Sequence, residues 1–426
     1  MSLPVTVTFM LTDWIAKGLA DGTFERVGGV IRDVATKQVV SWLREKESNN
    51  NEMPNSTPSP NNLLNLIFSW ANLTASGANA AVTGKGLANV NGRLNGIENQ
   101  LVQLEQSLQL TQGILQVTTA TSVLNLGVSV MGFAVIAQRL KELEQQLQKA
   151  QEILNQINRK IDLSLYANFR AAIELAVNAF TMNKTENRRS SALQAINRFL
   201  EAEHIYTEYT DIEIEQKSQI ADKYLLTLSL AYLAEARCYL ELEEHDTAFR
   251  RFQEGSKVIR SRIQKYVELL LTSNPAVYLQ PQFGSHIDLR RLTRIYQWLD
   301  PMLDENAVFD MQRMNLFMLA QDPNKWVESI PAAIWDSKVD WVGKAFWDDP
   351  KPQIYARLPK TLEVVESMIE TNRRFESYQT EVQAISQLGI SFHDWLKLTP
   401  STEIKPDDAE LMYIIPSQPL NLQISS

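Results

Sequence analysis

The chain has 426 residues, enough for two or three domains with hydrophobic cores. Its residues are 44% hydrophobic and 21% charged, which excludes an intrinsically disordered protein, and its net charge of −9 argues against nucleic-acid binding through a broadly basic surface. The single cysteine, Cys238, excludes an internal disulfide framework and suggests a reducing compartment. Met1–Ala20 lacks a basic n-region and carries Asp13 in its apolar run, so we expect a cytoplasmic protein without a signal peptide.

Residues 1–48 predict a small mixed α/β module. Val5–Phe9 alternates like a strand, and Trp14–Leu19 has the pattern of a short amphipathic helix. Gly28–Asp33 and Gln38–Leu43 have the pattern of a β-hairpin, and the alternative is one amphipathic helix across both. The Asn-, Ser- and Pro-rich residues that follow, 49–62, predict a linker because this composition cannot bury a core.

Residues 63–165 predict an apolar, coiled-coil helical region. Two series of mostly apolar residues repeat at alternating spacings of three and four, which is typical of a coiled-coil seam. The two arms are equally long, so we expect a long helical hairpin. The first arm is Leu94, Ile97, Leu101, Leu104, Leu108, Thr111 and Leu115, and the second is Leu140, Leu143, Leu147, Ala150, Leu154, Ile157 and Ile161.

A charge-free apolar segment, Val117–Ala137, lies between the two arms. Its 21 residues match the length of a helix that crosses a hydrocarbon core of roughly 30 Å. The first arm's register continues through the segment as small and polar residues, a pattern that packs helices together in lipid. These residues are Thr118, Ser122, Asn125, Ser129 and Gly132, and the apolar faces beside them include Val128 and Phe133.

An apolar segment between two equal heptad arms resembles the membrane-inserting head of α-helical pore-forming toxins, over residues 90–165. The resemblance implies conditional insertion, with Thr118 and Ser129 at a lumen or helix contact and the Val/Leu face towards lipid. Two alternatives remain open. The segment fits the buried central helix of a soluble bundle. It also fits a constitutive membrane span, whose basic flank, from Arg139 on, would lie in the cytoplasm.

Residues 166–300 predict a helical domain. Within it, the hairpin Tyr224–Ile263 resembles one tetratricopeptide repeat, and no second copy follows at a 34-residue offset, so an array is not expected. The resemblance rests on small and aromatic residues at the repeat's positions, namely Ala236, Tyr239, Ala248, Phe252 and Gly255.

Residues 301–400 predict a Trp-rich helical subdomain, and 401–426 an irregular acidic tail. In the subdomain, Leu358–Leu388 has the pattern of a long polar helix and Phe392–Leu398 that of a short one. The tryptophans that define it are Trp326, Trp335, Trp341 and Trp347, whose acidic neighbours favour core packing over a membrane interface.

A basic cluster also stands out in this acidic chain. It predicts either a site for an anionic partner or a solvated helical face balanced by acidic neighbours. The arginines concerned are Arg250, Arg251, Arg260, Arg262, Arg290, Arg291 and Arg294.

Motifs for catalysis, cofactors or metals are not found in the sequence. The chain has four histidines, and the one Glu-x-x-His, at Glu201–His204, has no second copy as di-iron bundles require. We therefore expect no enzyme and no cofactor.

The sequence predicts a mainly α, non-enzymatic, membrane-active protein of the toxin or defence-effector type that inserts or displays a helix over 117–137. Its expected partners are a membrane, reached on activation, and a protein or a second copy of the chain. The alternative is a soluble interaction scaffold in which 117–137 is a buried core helix.

Overall fold

A computed structural model describes residues 5–11, 13–45, 114–119, 131–154, 164–218, 220–271, 277–278, 289–321, 351–397 and 411–414. The described part of the chain contains ten helices and six strands, and most of its residues are helical. The prediction of a mainly α fold with a small mixed N-terminal module is confirmed.

The N-terminal module contains strand β1 (Val5–Met10), helix α1 (Asp13–Ala20) and strands β2 (Phe24–Val27), β3 (Val30–Asp33) and β4 (Val39–Glu45). β2, β3 and β4 follow one another as antiparallel neighbours, so the predicted hairpin is confirmed and the single amphipathic helix is wrong.

The turn between β3 and β4 has a clear local cause. The Asp33 carboxylate accepts hydrogen bonds from the Thr36 N–H (2.7 Å) and hydroxyl (2.9 Å). Lys37 then adopts a left-handed conformation with φ of 58°. A short polar side chain that bonds its own turn in this way reverses the chain.

Two further strands complete the β-structure. β5 (Ile114–Thr119) pairs antiparallel with β1 in a two-stranded ribbon, and β6 (Leu411–Ile414) pairs with β4 to give the sheet order β2-β3-β4-β6. The prediction that 401–426 is irregular throughout is therefore wrong at Leu411–Ile414. These four residues are mostly apolar, and their strand partner β4 lies near the other end of the chain, so no local hairpin pattern marks them as a strand.

The helical part follows the sequence pattern closely. The predicted long helix is α9, which has Pro359 in its first turns, and the predicted short helix is α10. Between the N-terminal module and these helices lie α2 to α8. The bounds are α2 (Phe133–Leu154), α3 (Ser164–Thr181), α4 (Thr185–Glu215), α5 (Ala221–Glu241), α6 (His245–Leu270), α7 (Leu289–Leu299), α8 (Glu305–Gln321), α9 (Lys351–Leu388) and α10 (Phe392–Lys397).

Helix α5 is the central helix of the fold. From Ala221 to Leu240 its side chains are buried on nearly every face, because α2, α3, α4, α6 and α10 all pack against it. A helix surrounded in this way is expected to be apolar all round, and α5 largely is. One interpretation of the sequence made Val117–Ala137 the buried central helix of a bundle. In the described residues, α5 is that central helix.

The predicted hairpin over Tyr224–Ile263 is formed by α5 and α6. Ala236, Ala248 and Phe252 are fully buried within it. A Cβ added to Gly255 would come within 2.8 Å of the Tyr232 ring, so glycine is what lets these two helices approach closely.

One continuous core runs through the described residues. It includes Val30 and Trp42 of the N-terminal module, the buried faces of α2 to α6, and Phe375 and Trp395 of α9 and α10. The N-terminal module thus packs on the helical part and shares its core. The Trp-rich stretch from Trp326 to Trp347 lies outside the described residues.

Candidate functional site

The N-terminal end of the apolar segment is a strand. β5 pairs with β1 in a register that places Val117 opposite Val7 and Thr118 opposite Thr6. A single helix over Val117–Ala137, with Thr118 on its packing face, is therefore wrong at this end, as is a helical heptad position for Leu115. The sequence Ile-Leu-Gln-Val-Thr-Thr is rich in β-branched residues, which favours a strand once β1 is available as a partner.

The C-terminal end of the segment is a buried helix. α2 begins at Phe133, and both Met131 and Ile136 are fully buried. The second heptad arm is helical from Leu140 to Leu154 and is buried at Leu140, Leu143 and Leu147, whereas its last positions, Ile157 and Ile161, lie outside the described residues. Its partners among the described residues are α3 and α5, rather than a matching arm.

Of the other residues predicted for the segment, Phe133 and Gly132 are described by the structure and the rest are not. Phe133 is half-buried and stacks on Phe180, with ring centroids 5.7 Å apart and planes 9° apart. No described residue lies within 4 Å of a Cβ added to Gly132, so no close helix contact is observed there. Outside the described residues lie Ser122, Asn125, Val128 and Ser129, together with the first arm from Leu94 to Thr111.

None of the helices in the described ranges combines the length and the apolar character that a membrane span requires.

The predicted basic cluster is largely paired inside the fold. Arg262 binds Asp211 of α4 at 2.5 Å, and Arg291 binds Glu366 of α9 through two bonds of 2.5 and 2.7 Å. Arg290 and Arg250 are exposed. The arginines lie on two helices, and most of those described here neutralise carboxylates of neighbouring helices instead of forming one open basic surface.

Arg260 joins three helices. Its guanidinium lies 4.7 Å from the centre of the Trp298 ring and donates to the Trp298 carbonyl at 3.2 Å. It also donates to the Asn372 side chain at 3.4 Å and lies 3.7 Å from Glu376. The residue thus fixes α6 against both α7 and α9.

Arg251 lies between two buried glutamates, Glu203 and Glu235. We call these two glutamates the acid pair. Its guanidinium donates to Glu203 of α4 and to Glu235 of α5, each at 2.5 Å, and the two glutamate side chains are only 4% and 1% exposed. A third bond, to Glu254, reaches a side chain that is 57% exposed. The guanidinium also lies 5.3 Å from the centre of the Tyr232 ring.

One guanidinium cannot neutralise two buried carboxylates. Glu203 Oε1 and Glu235 Oε1 are buried and accept no hydrogen bond from the described residues. Burial is the main cause that raises the pKa of Glu203, and the neighbouring Glu235 raises it further; burial also raises the pKa of Glu235. The pair therefore holds a proton at neutral pH, shared between the two carboxyl groups.

A second buried cluster attaches the N-terminal module to α9. Arg26 donates to both oxygens of Glu370, at 3.0 and 3.1 Å, and Arg374 donates to Glu370 at 3.1 Å. Burial alone would raise the pKa of Glu370, but the two guanidinium groups outweigh it and hold that pKa at about 2. Gly28 completes the contact: it has a φ of 56°, and its carbonyl accepts a 2.6 Å bond from Arg26.

These clusters consist of ion pairs and hydrogen bonds that join neighbouring elements of the fold. Within the described ranges, His, Cys, Asp and Glu side chains form no group of three that could hold a metal ion. Cys238 is buried, and burial raises the pKa of its thiol well above the ordinary value, which leaves it unreactive.

One feature of the sequence points to the acid pair. Glu235 is the single charge in the apolar run from Tyr224 to Ala236, and a lone charge in a buried helix needs a partner. Glu203 gave no comparable signal, because it lies on the ordinary polar helix α4.

Comparison of the chain with protein-family models, curated proteins and solved structures gave no match.

Proposed function

We propose that this chain is a non-enzymatic, membrane-active helical protein of the toxin or defence-effector type, which stores the segment 117–137 and inserts it after release. One observation carries the proposal. The charge-free segment is divided between two different elements, strand β5 up to Thr119 and helix α2 from Phe133. A membrane-crossing helix needs about 20 continuous residues, so the stored form differs from the inserted form.

The two ends of the segment are held with unequal strength. α2 is anchored through fully buried Ile136 and Leu140, and Met131 just before it is also fully buried. β5 is held in a two-stranded ribbon, and an isolated ribbon of that kind is marginally stable in water. Release therefore starts at the β5 end. Once β5 leaves β1, α2 extends backwards through the uncharged residues, and insertion of the whole segment then draws Met131 and Ile136 out of the core.

On this proposal the stored form is cytoplasmic and the released form has a membrane as its partner. The small and hydroxyl-bearing residues Thr118, Ser122 and Ser129 would then form contacts between copies of the chain, as such residues do in lipid. Self-association accordingly accompanies insertion.

The test is a disulfide lock across the ribbon. Val7 and Val117 are register partners, so Val7→Cys with Val117→Cys in a Cys238→Ala background forms a bond that joins β1 to β5. Dye release is measured from liposomes of phosphatidylcholine and phosphatidylglycerol, with acidic buffer and sub-denaturing urea as triggers. We expect no release by the oxidised protein and full release after reduction, with the Val7→Cys single variant as control.

Val128→Glu provides a second arm of the test, because a charge in the middle of the segment opposes insertion. We expect an intact fold by circular dichroism and no dye release. If the reduced, unlocked protein releases no dye under either trigger, the membrane proposal is wrong.

A specific observation favours a second candidate, a soluble helical interaction scaffold. Met131 and Ile136 already lie in the core, and the α5–α6 hairpin resembles the protein-binding tetratricopeptide unit. On this proposal Ser122→Asp unfolds the protein, and Val128→Glu does the same. The two candidates therefore differ in the fate of the Val128→Glu fold as well as in dye release.

A further inference from the structure

The C-terminal segment returns to the N-terminal module after α9. Helix α10 is docked through Phe392 and Trp395, both fully buried. The indole N–H of Trp395 donates to Glu381 at 2.6 Å, and its ring packs edge-on against Trp42 of β4, with centroids 5.8 Å apart. α10 is thus bound to α9 on one side and to the sheet on the other.

The first turn of α10 is held by the loop between α5 and α6. The Phe392 N–H donates to the Glu243 carboxylate at 2.9 Å, and Glu243 has a left-handed φ of 59° in that loop. The Arg237 guanidinium lies 4.4 Å from the centre of the Phe392 ring. Ser391 caps the helix by accepting the Asp394 N–H at 3.0 Å.

Strand β6 follows α10 in the chain and lies next to both β-structures of the described residues. It pairs with β4 through Leu43 opposite Tyr413 and Trp42 opposite Ile414. It also lies against β1. β1 in turn pairs with β5, whose last residue is Thr119 in the apolar segment. In space, therefore, β6 lies between its partner strand β4 and the neighbouring β1–β5 ribbon.

From this juxtaposition we propose that β6 is a latch that keeps the β1–β5 ribbon closed and so controls release of the apolar segment. The proposal rests on the proposed function for its biological meaning and deepens it. β6 has four residues and lies at the edge of its sheet, so few backbone bonds hold it. α10 stays anchored by its buried aromatic side chains when β6 detaches. The opening is therefore local, and the helical core is unaffected.

Backbone hydrogen exchange in the full-length chain tests the latch directly. Replacing each of Leu411–Ile414 by glycine removes the preference for a strand while the chain length is kept. We expect the amides of Ile114–Thr119 to exchange at least about tenfold faster, and those of α5 to be unchanged. The amides of β2 and β3 are the internal control, since Arg26 and Glu370 hold that hairpin independently.

The opposite variant closes the latch covalently. Leu43→Cys with Tyr413→Cys in the Cys238→Ala background joins β4 to β6 at a register pair. The oxidised form is expected to slow exchange at Ile114–Thr119 and to abolish dye release, and reduction restores both.

The two readouts separate the two proposals. Unchanged exchange at Ile114–Thr119 in the glycine variant overturns the latch, as does equal acceleration at β2 and β3. If exchange responds as expected but no reduced variant releases dye, the latch stands and the membrane function fails.

Discussion

The acid pair makes the stability of this protein fall as the pH rises, and Glu203→Gln removes the effect. The Glu203 carboxyl keeps its proton in the folded state above its ordinary pKa, whereas the unfolded chain has lost it. The native state therefore binds about one more proton than the unfolded state across neutral pH. Each such proton lowers the free energy of unfolding by about 1.4 kcal/mol per pH unit.

Between about pH 6 and pH 8 the expected loss in the wild-type protein is about 3 kcal/mol from this group alone. The amide that replaces the carboxyl in Glu203→Gln titrates no proton, and its N–H group supplies a donor for the Glu235 carboxylate. Glu235 is then left with Arg251 as its balancing charge. The variant should be more stable than the wild-type protein at the alkaline end of this range, and the gain should shrink towards the acidic end.

The assay is urea denaturation followed by circular dichroism at several pH values, taking the difference between variant and wild type at each. Other titrating groups cancel in this difference. Glu201→Gln is the matched control: it lies on the same helix with a side chain that is 59% exposed, so its difference should stay near zero. Parallel stability curves for Glu203→Gln and the wild type, separated by a constant offset, would refute the shared proton.

Three further predictions concern the contacts that hold the termini. Glu370→Gln should destabilise the protein by about 3–5 kcal/mol at neutral pH, because it removes the carboxylate that neutralises the buried Arg26 guanidinium. The difference in free energy of unfolding between the wild type and this variant should disappear as the pH falls from the ordinary glutamate pKa of 4.5 to about 2. Gly28→Ala should cost more than about 1 kcal/mol in urea denaturation, since the φ of 56° is strained for alanine and its Cβ would lie 2.5 Å from a backbone carbonyl of α9. Trp395→Phe should cost about 1–3 kcal/mol in the same assay, because Glu381 loses the hydrogen bond from the indole N–H.

Gly28→Ala has a matched control at Gly22, and Glu370→Gln has a pH dependence that can contradict it. Gly22 has a φ of 79° but open space around a Cβ among the described residues, so Gly22→Ala should cost less than Gly28→Ala. Equal costs would show that the approach to α9 does not matter. An effect of Glu370→Gln that stays constant from neutral pH down to about 2 would contradict the ion pair.

Local sequence patterns predicted the elements whose partners are nearby. The β3–β4 and α5–α6 hairpins follow from alternation or from helical periodicity, since each pairs two elements that are neighbours in the sequence. The long helix α9 follows from its own helical periodicity, although it packs mainly on the distant helix α6. Strand β5 did not follow in this way. Its spacing at Leu115 fits a heptad, and only the distant strand β1 selects the extended conformation.

The buried charges were harder to predict for the same physical reason. Arg251 looked like one member of a basic cluster, because its partners Glu203 and Glu235 lie on two other helices. Sequence spacing brings together residues on one helix face, whereas an ion pair between helices depends on their packing. The sequence therefore predicted an open basic surface where most of the arginines are paired inside the fold, and it did not predict the acid pair.

The pairing of the first strands with the last has a consequence for synthesis. Glu370, the partner of Arg26, lies 344 residues further along the chain, and β6 comes later still. At ribosomal rates of about 5–20 residues per second, the N-terminal strands wait about 20–70 s for these partners. On the latch proposal, the ribbon that holds the apolar segment is secured only after translation of β6. A growing chain therefore passes through an unsecured state, in which a chaperone or a membrane could capture the segment first.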